Sequence, residues 1–166
     1  MRILRHTIAI LVAPVTVTIV VPLLLTLTIG TLTLPLGPVG DPAAATLGVA
    51  ALGGGLTLVI WTIFLFDRDG DGTLAPWDSP RRLVLRGPYR HVRNPMISGV
   101  LAILLAESLI LRSPVLLAWF AAFFLLNQTY IPLWEEPDLE KRFGRDYVAY
   151  RQNVRRWVPR LHAWNP

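Results

Sequence analysis

No cysteine occurs in the 166 residues, which excludes disulfides, thiolate nucleophiles and sulfur-ligated metals. Histidine is nearly as scarce: His6, His91 and His162 stand alone, and no spacing among them suits zinc. Charged residues make up only 16% of the chain against 53% hydrophobic, too apolar a balance for an ordinary soluble domain. The shortage of charge is concentrated. Thr7 to Gly40 carries no ionisable side chain, and neither does Pro42 to Phe66, so each run exceeds the roughly 20 apolar residues that cross a bilayer as a helix.

Two further apolar runs follow. Met96 to Leu111 is interrupted only by Glu107, and Ser113 to Trp134 has no charge. Arg112-Ser113-Pro114 leaves room between them for a tight turn, which predicts a helical hairpin. The first run is longer than the 7 to 15 residues of a signal peptide's apolar region, so it reads as an uncleaved span. The expected fold is an all-α integral membrane protein forming a single membrane domain. Its four transmembrane helices fall at about 8–29, 43–66, 96–111 and 114–132, and a C-terminal cytoplasmic amphipathic helix follows. Pro14 and Pro22 are expected to bend the first span, and Gly53-Gly54-Gly55 to permit close packing of the second.

Although the net charge is +5, the basic residues are placed as in a membrane protein rather than a nucleic-acid binder. Fifteen of the sixteen lie before the first span, between Arg68 and Arg93, or between Lys141 and Arg160; Arg112 is the exception. The positive-inside rule then makes both termini and the central loop cytoplasmic, in the inner membrane, and anionic headgroups account for the basic surface. Glu107 falls near the outer end of the third span, within reach of headgroups.

Beyond the fourth run, Pro132 and Pro137 bracket Glu135-Glu136, and a soluble helix is expected next. Leu139, Phe143, Tyr147, Tyr150, Val154 and Trp157 recur at spacings of three and four, opposite Lys141, Arg145, Gln152, Arg155 and Arg156. Such a helix either lies on the headgroups or folds back over a site. A hairpin returns residues 86–99 and 133–160 to the same side of the bilayer, where arginines, His91 and Asn94 converge on the paired glutamates.

Gly87-Pro88-Tyr89-Arg90, then Arg93-Asn94-Pro95, Glu135-Glu136, Phe143-Gly144, Tyr147, Tyr150 and Pro159 together resemble the signature of the isoprenylcysteine carboxyl methyltransferase family and its bacterial relatives. The resemblance covers about residues 70 to 160. It implies an integral-membrane methyltransferase that binds S-adenosylmethionine from the cytosol and takes an isoprenoid carboxylate or similar lipid-like acceptor from the bilayer, with no nucleic acid and no obligate protein partner. On this reading Gly87, Tyr89, His91, Arg93, Asn94, Pro95, Glu135 and Glu136 form the cofactor site. Arg93 and Glu136 carry the catalytic role, Tyr147 and Arg151 meet the substrate, and no metal takes part. Asn94 and Ile97 depart from the histidine and tyrosine common in the family, which leaves the acceptor open.

The residue types suit this chemistry. A sulfonium cofactor bearing an ammonium and a carboxylate needs both acids and a guanidinium. A carboxylate acceptor is already ionised at neutral pH and needs no base, whereas a phospholipid amine must lose a proton, for which His91 and Glu136 are the candidates. Two other readings stand beside these: an NADPH-dependent relative of sterol reductases, and a calcium-responsive membrane scaffold. The scaffold reading rests on Asp67-Arg-Asp-Gly-Asp-Gly-Thr-Leu-Ala-Pro-Trp-Asp78, which places acids and Gly72 as a helix-loop-helix calcium site does. It lacks the long twelfth-position glutamate, and Pro76 and Pro80 obstruct the exiting helix.

Overall fold

The structure, a computed structural model, describes residues 11–30, 32–69 and 83–165 and is all-helical over them, without strands. The first helix, α1, begins as a π-wound stretch, Leu11–Val20, and continues as a regular α-helix, Val21–Ile29. Pro22 falls in the first turn of the regular part, where a missing N–H is harmless. Thr18 and Thr26 donate their hydroxyls to the Pro14 and Pro22 carbonyls, which satisfies both groups inside the helix.

Helix α2, Gly37–Asp69, is 33 residues long, roughly 50 Å at 1.5 Å per residue, and overruns the expected 43–66 span at both ends. Its start is tied down by Asp41, whose Oδ1 accepts the Leu36 N–H and whose Oδ2 pairs with Arg112 at 2.7 Å. Helix α3, Pro95–Ile110, has 16 residues, roughly 24 Å, shorter than the ~30 Å hydrocarbon layer. The turn expected at Arg112-Ser113-Pro114 is present. Arg112 adopts a left-handed φ of 50°, and Ser113 caps α4, Pro114–Tyr130.

Small residues decide how closely α2 and α3 approach. A Cβ on Gly55 would lie 2.7 Å from the Gly99 carbonyl oxygen, and one on Gly99 would lie 2.9 Å from the Gly55 carbonyl oxygen. Gly48 meets Ala106 and Ile110 in the same way two turns away, so the two helices run antiparallel with their backbones nearly touching. Of the glycine triplet only Gly55 serves this contact; Gly53 and Gly54 have no neighbour within 4 Å. Val59, Val100, Ile103 and Leu104 form the core between these helices, covered by Trp119, Phe120 and Phe123 of α4 and by Val17 of α1. Trp119 also donates its indole N–H to the Val17 carbonyl. At the level of this packing Glu107 is half-buried, and its Oε2 makes no hydrogen bond within the described residues.

Two helical stretches among the described residues, Gly37–Leu65 and Pro114–Asn153, are long and apolar enough to cross a membrane. Their most apolar windows are only 22% and 17% buried, the reverse of a soluble protein's core helices. Leu23, Leu27, Leu56, Ile60, Phe64, Leu125 and Leu126 all face outward. Exposed apolar surface on this scale is suited to lipid rather than water.

The C-terminal part departs from the expected form in two respects. The chain does not break at Pro132: α4 runs through a π-wound turn, Ile131–Glu135, directly into α5, Glu136–Asn153. The wider π turn absorbs the donor that proline lacks. Nor does one helical face extend from Leu139 to Trp157. Gly144 kinks α5 with φ 56° and ψ −129°, and the helix ends at Asn153, because Val154 is extended. Trp157 lies beyond the helix, in a strap of residues 154–165 without regular secondary structure.

Candidate functional site

The strap crosses back over the segment that precedes α3, so of the two roles open to the C-terminal region it folds back rather than lying apart. The Arg93 N–H donates to the Arg155 carbonyl, the Arg160 N–H to His91, and the Trp164 N–H to Arg90, each at 2.9 Å. Arg90 adds its Nε to the Trp164 carbonyl, and the Tyr150 hydroxyl donates to the Tyr89 carbonyl at 2.7 Å. Tyr147, Tyr150 and Val154 form a second core with Leu83, Leu85, Leu139, Phe143 and Trp164. Trp157 anchors the strap to α4 through Gln128 and packs on Phe124.

Gly87 opens a short 3-10 turn, Gly87–Arg90, with a left-handed φ of 54°. A Cβ there would crowd Trp61 and Leu65 of α2 at 3.1–3.2 Å, so this glycine sets the turn against the membrane helix. Pro95 is buried in the first turn of α3, and Asn94 precedes it without capping the helix through its side chain.

Glu136 is the electrostatic centre. It is 6% exposed, and its Oε1 lies 3.0 Å from Arg93 Nη1 while accepting Arg156 Nε and Nη2 at 3.0 and 2.8 Å. Arg93 is held by the charge of Glu136 and by a side-chain hydrogen bond with Tyr147, while its Nε and Nη1 are buried without a hydrogen bond, and so is Asn94 Nδ2. Leaving buried donors unmade costs about 1–3 kcal/mol each, and these three, one of them already facing the Glu136 carboxylate at 3.0 Å, lie together at the start of one helix. Glu135 has the opposite imbalance. Burial first and the neighbouring Glu136 second push its carboxyl above the ordinary range, with Arg156 offsetting part of the rise. Burial, reinforced by the charge of Glu136, also raises the Tyr147 phenol to about 12. Burial raises Tyr150 too, so both phenols are protonated donors at neutral pH.

His91 is half-buried, and its Nδ1 lies 2.8 Å from the Arg160 carbonyl. A carbonyl only accepts, so Nδ1 carries the hydrogen and the neutral ring keeps its lone pair on Nε2.

The structure thus gathers Tyr89, Arg93, Asn94, Glu135, Glu136 and Tyr147 at one end of the helices, with His91 in the paired segment. Arg151 is not gathered: it is exposed and pairs with Glu140 at 3.2 Å. Arg156, placed by periodicity on the polar face of a helix, is the residue the sequence reading missed, because the helix ends before it and the strap turns it inward. The signal was Pro159, which cannot continue a helix, after β-branched Val154. The acidic loop lies outside the described residues from Gly70 to Asp78. Among the described residues no group of three or more His, Asp or Glu is placed to hold a metal.

Apolar helices that face outward and return a buried arginine-glutamate cluster to one end define a helical membrane protein with a polar cluster at one end of its helices. A family model described as phospholipid methyltransferase matches residues 43–146, more than half of the chain. The protein belongs to this family of membrane methyltransferases, which is related to the isoprenylcysteine carboxyl methyltransferases. No curated protein and no solved structure matches the chain.

Proposed function

We propose that the protein transfers a methyl group from S-adenosylmethionine to a lipid at the cytoplasmic face of the inner membrane, spanning the bilayer four times with both termini inside. The observation that carries this reading is the set of buried donors without a hydrogen bond, Arg93 Nε and Nη1 and Asn94 Nδ2, beside the buried Glu135 carboxyl, whose positive neighbour Arg156 offsets only part of the effect of burial and of Glu136. An amino-acid group bearing both a carboxylate and a cationic centre satisfies the two imbalances together. Arg93 and Asn94 hold the carboxylate, Glu135 faces the cationic centre, and Glu136 lies beside Arg93, held by Arg156. Gly87, Tyr89 and Pro95 shape the surrounding wall.

S-adenosylmethionine supplies the activated methyl group when bound. The chain contributes alignment, for which a positioned acceptor and donor suffice in an in-line displacement. The family name favours a phospholipid amine as acceptor. One residue of the neighbouring segment suits that acceptor: His91, its Nδ1 fixed by the Arg160 carbonyl, keeps Nε2 as the proton acceptor that an amine needs and a carboxylate does not. The second reading, an isoprenoid carboxylate acceptor, is favoured by the Gly87–Pro95 and Glu135-Glu136 motifs.

The test is transfer of isotopically labelled methyl from S-adenosylmethionine in vesicles containing either phosphatidylethanolamine or a prenylated cysteine analogue. Label that stays non-volatile after mild alkali, on the water-soluble headgroup that deacylation releases, identifies N-methylation. Label released as methanol identifies an ester. No transfer to either, with intact folded protein, refutes the proposed function.

A further inference from the structure

The two guanidiniums on Glu136 are not equivalent. Arg156 gives two hydrogen bonds to Oε1, whereas Arg93 approaches the same oxygen at 3.0 Å outside hydrogen-bonding geometry and keeps Nε and Nη1 unmatched. A buried carboxylate facing one guanidinium closes on it in a bidentate fork, the strongest geometry the pair has. Here Arg156 already occupies Oε1, and the strap that carries it is anchored independently through Trp157, Arg160 and Trp164.

We propose that Arg156 is a positioning residue: by occupying Glu136 it prevents Glu136 from closing on Arg93, and so keeps the Arg93 donors available to the anionic group of the incoming ligand. This inference rests on the methyl-donor site described above. It assigns Arg156 no contact with ligand. Its work is to divert an internal acceptor that otherwise competes with the ligand for the same N–H groups. Removing Arg156 alone lets Glu136 rotate onto Arg93, and removing the Glu136 charge as well releases Arg93 again.

Calorimetric titration with S-adenosylhomocysteine is run on detergent-solubilised wild type, Arg156→Met, Arg156→Lys and the double variant Arg156→Met/Glu136→Gln, with a thermal melt on each. Wild type is expected to bind. Arg156→Met loses roughly tenfold or more in affinity, the scale of one hydrogen bond to a charged group. Arg156→Lys, which still occupies Oε1, loses less, and the double variant recovers most of the loss. A purely structural role, or direct contact between Arg156 and ligand, predicts instead that the double variant binds no better than Arg156→Met, and that result overturns the inference. Absence of binding in folded wild type overturns the donor-site reading itself, which separates the two failures. If Arg156→Met melts below the titration temperature, the comparison of Arg156→Gln, which lacks the charge and the reach to hold Oε1, with Arg156→Gln/Glu136→Gln decides by the same criterion.

Discussion

Arg93→Met is expected to separate ligand binding from folding. The arginine side chain is 11% exposed, pairs with Glu136, and leaves two nitrogens without acceptors. Methionine keeps the stem and removes the charge. Breaking a buried ion pair ordinarily costs about 3–5 kcal/mol because it strands the partner. Glu136 is not stranded here, since Arg156 still gives it two hydrogen bonds. The substitution gives up the side-chain hydrogen bond with Tyr147, about 1 kcal/mol, and removes two unmade donors, each a cost of about 1–3 kcal/mol in the ligand-free protein. The terms oppose one another, so stability is expected to change by no more than about 1 kcal/mol, a shift of about 2–4 °C for a domain of this size. The backbone bond from Arg93 to Arg155 is untouched. Binding has no such compensation. Two hydrogen bonds to a charged acceptor at about 1.5–3 kcal/mol each amount to roughly a hundredfold or more in affinity. The assay is titration with S-adenosylhomocysteine alongside a thermal melt. Affinity within about threefold of wild type, or a loss of binding accompanied by a collapse in melting temperature, refutes the reasoning.

Three further outcomes are expected. Gly55→Val drives a Cβ into the Gly99 carbonyl and forces α2 and α3 apart, costing about 1–3 kcal/mol, whereas Gly54→Val meets open space; paired melts of the two variants check this. Burial raises the Glu135 carboxyl above its unfolded value, so its contribution to stability is intact below that value, about 4.3, and erodes as pH climbs through the folded one. Glu135→Gln is therefore expected to melt higher than wild type at pH 8, with the gain vanishing near pH 4, while its affinity for S-adenosylmethionine falls. Arg151→Ala breaks only the exposed pair with Glu140 and is expected to leave S-adenosylhomocysteine affinity unchanged in the same titration.

What the linear chain determined by itself was the medium and the chemical inventory. Long runs without charge, bounded by arginines, have few outcomes other than lipid-facing helices, because an unmatched ion in hydrocarbon is so costly. The Arg112-Ser113-Pro114 turn was legible because proline starts a helix and a hydroxyl caps one. The juxtaposition of Arg93 with Glu136 followed from that turn once the hairpin was accepted. Periodicity failed after Asn153. A three-and-four spacing through Trp157 looks helical in one dimension, but nothing local records that the backbone of Arg90, His91 and Arg93 offers partners 62 to 74 residues away. Those pairings, and the packing of Tyr147 and Tyr150 beneath them, ended the helix and turned the strap inward. Which guanidinium saturates Glu136 and which is left with unmade donors is likewise a matter of ångströms between distant segments. Sequence supplied both arginines; only tertiary structure made one a brace and left the other open.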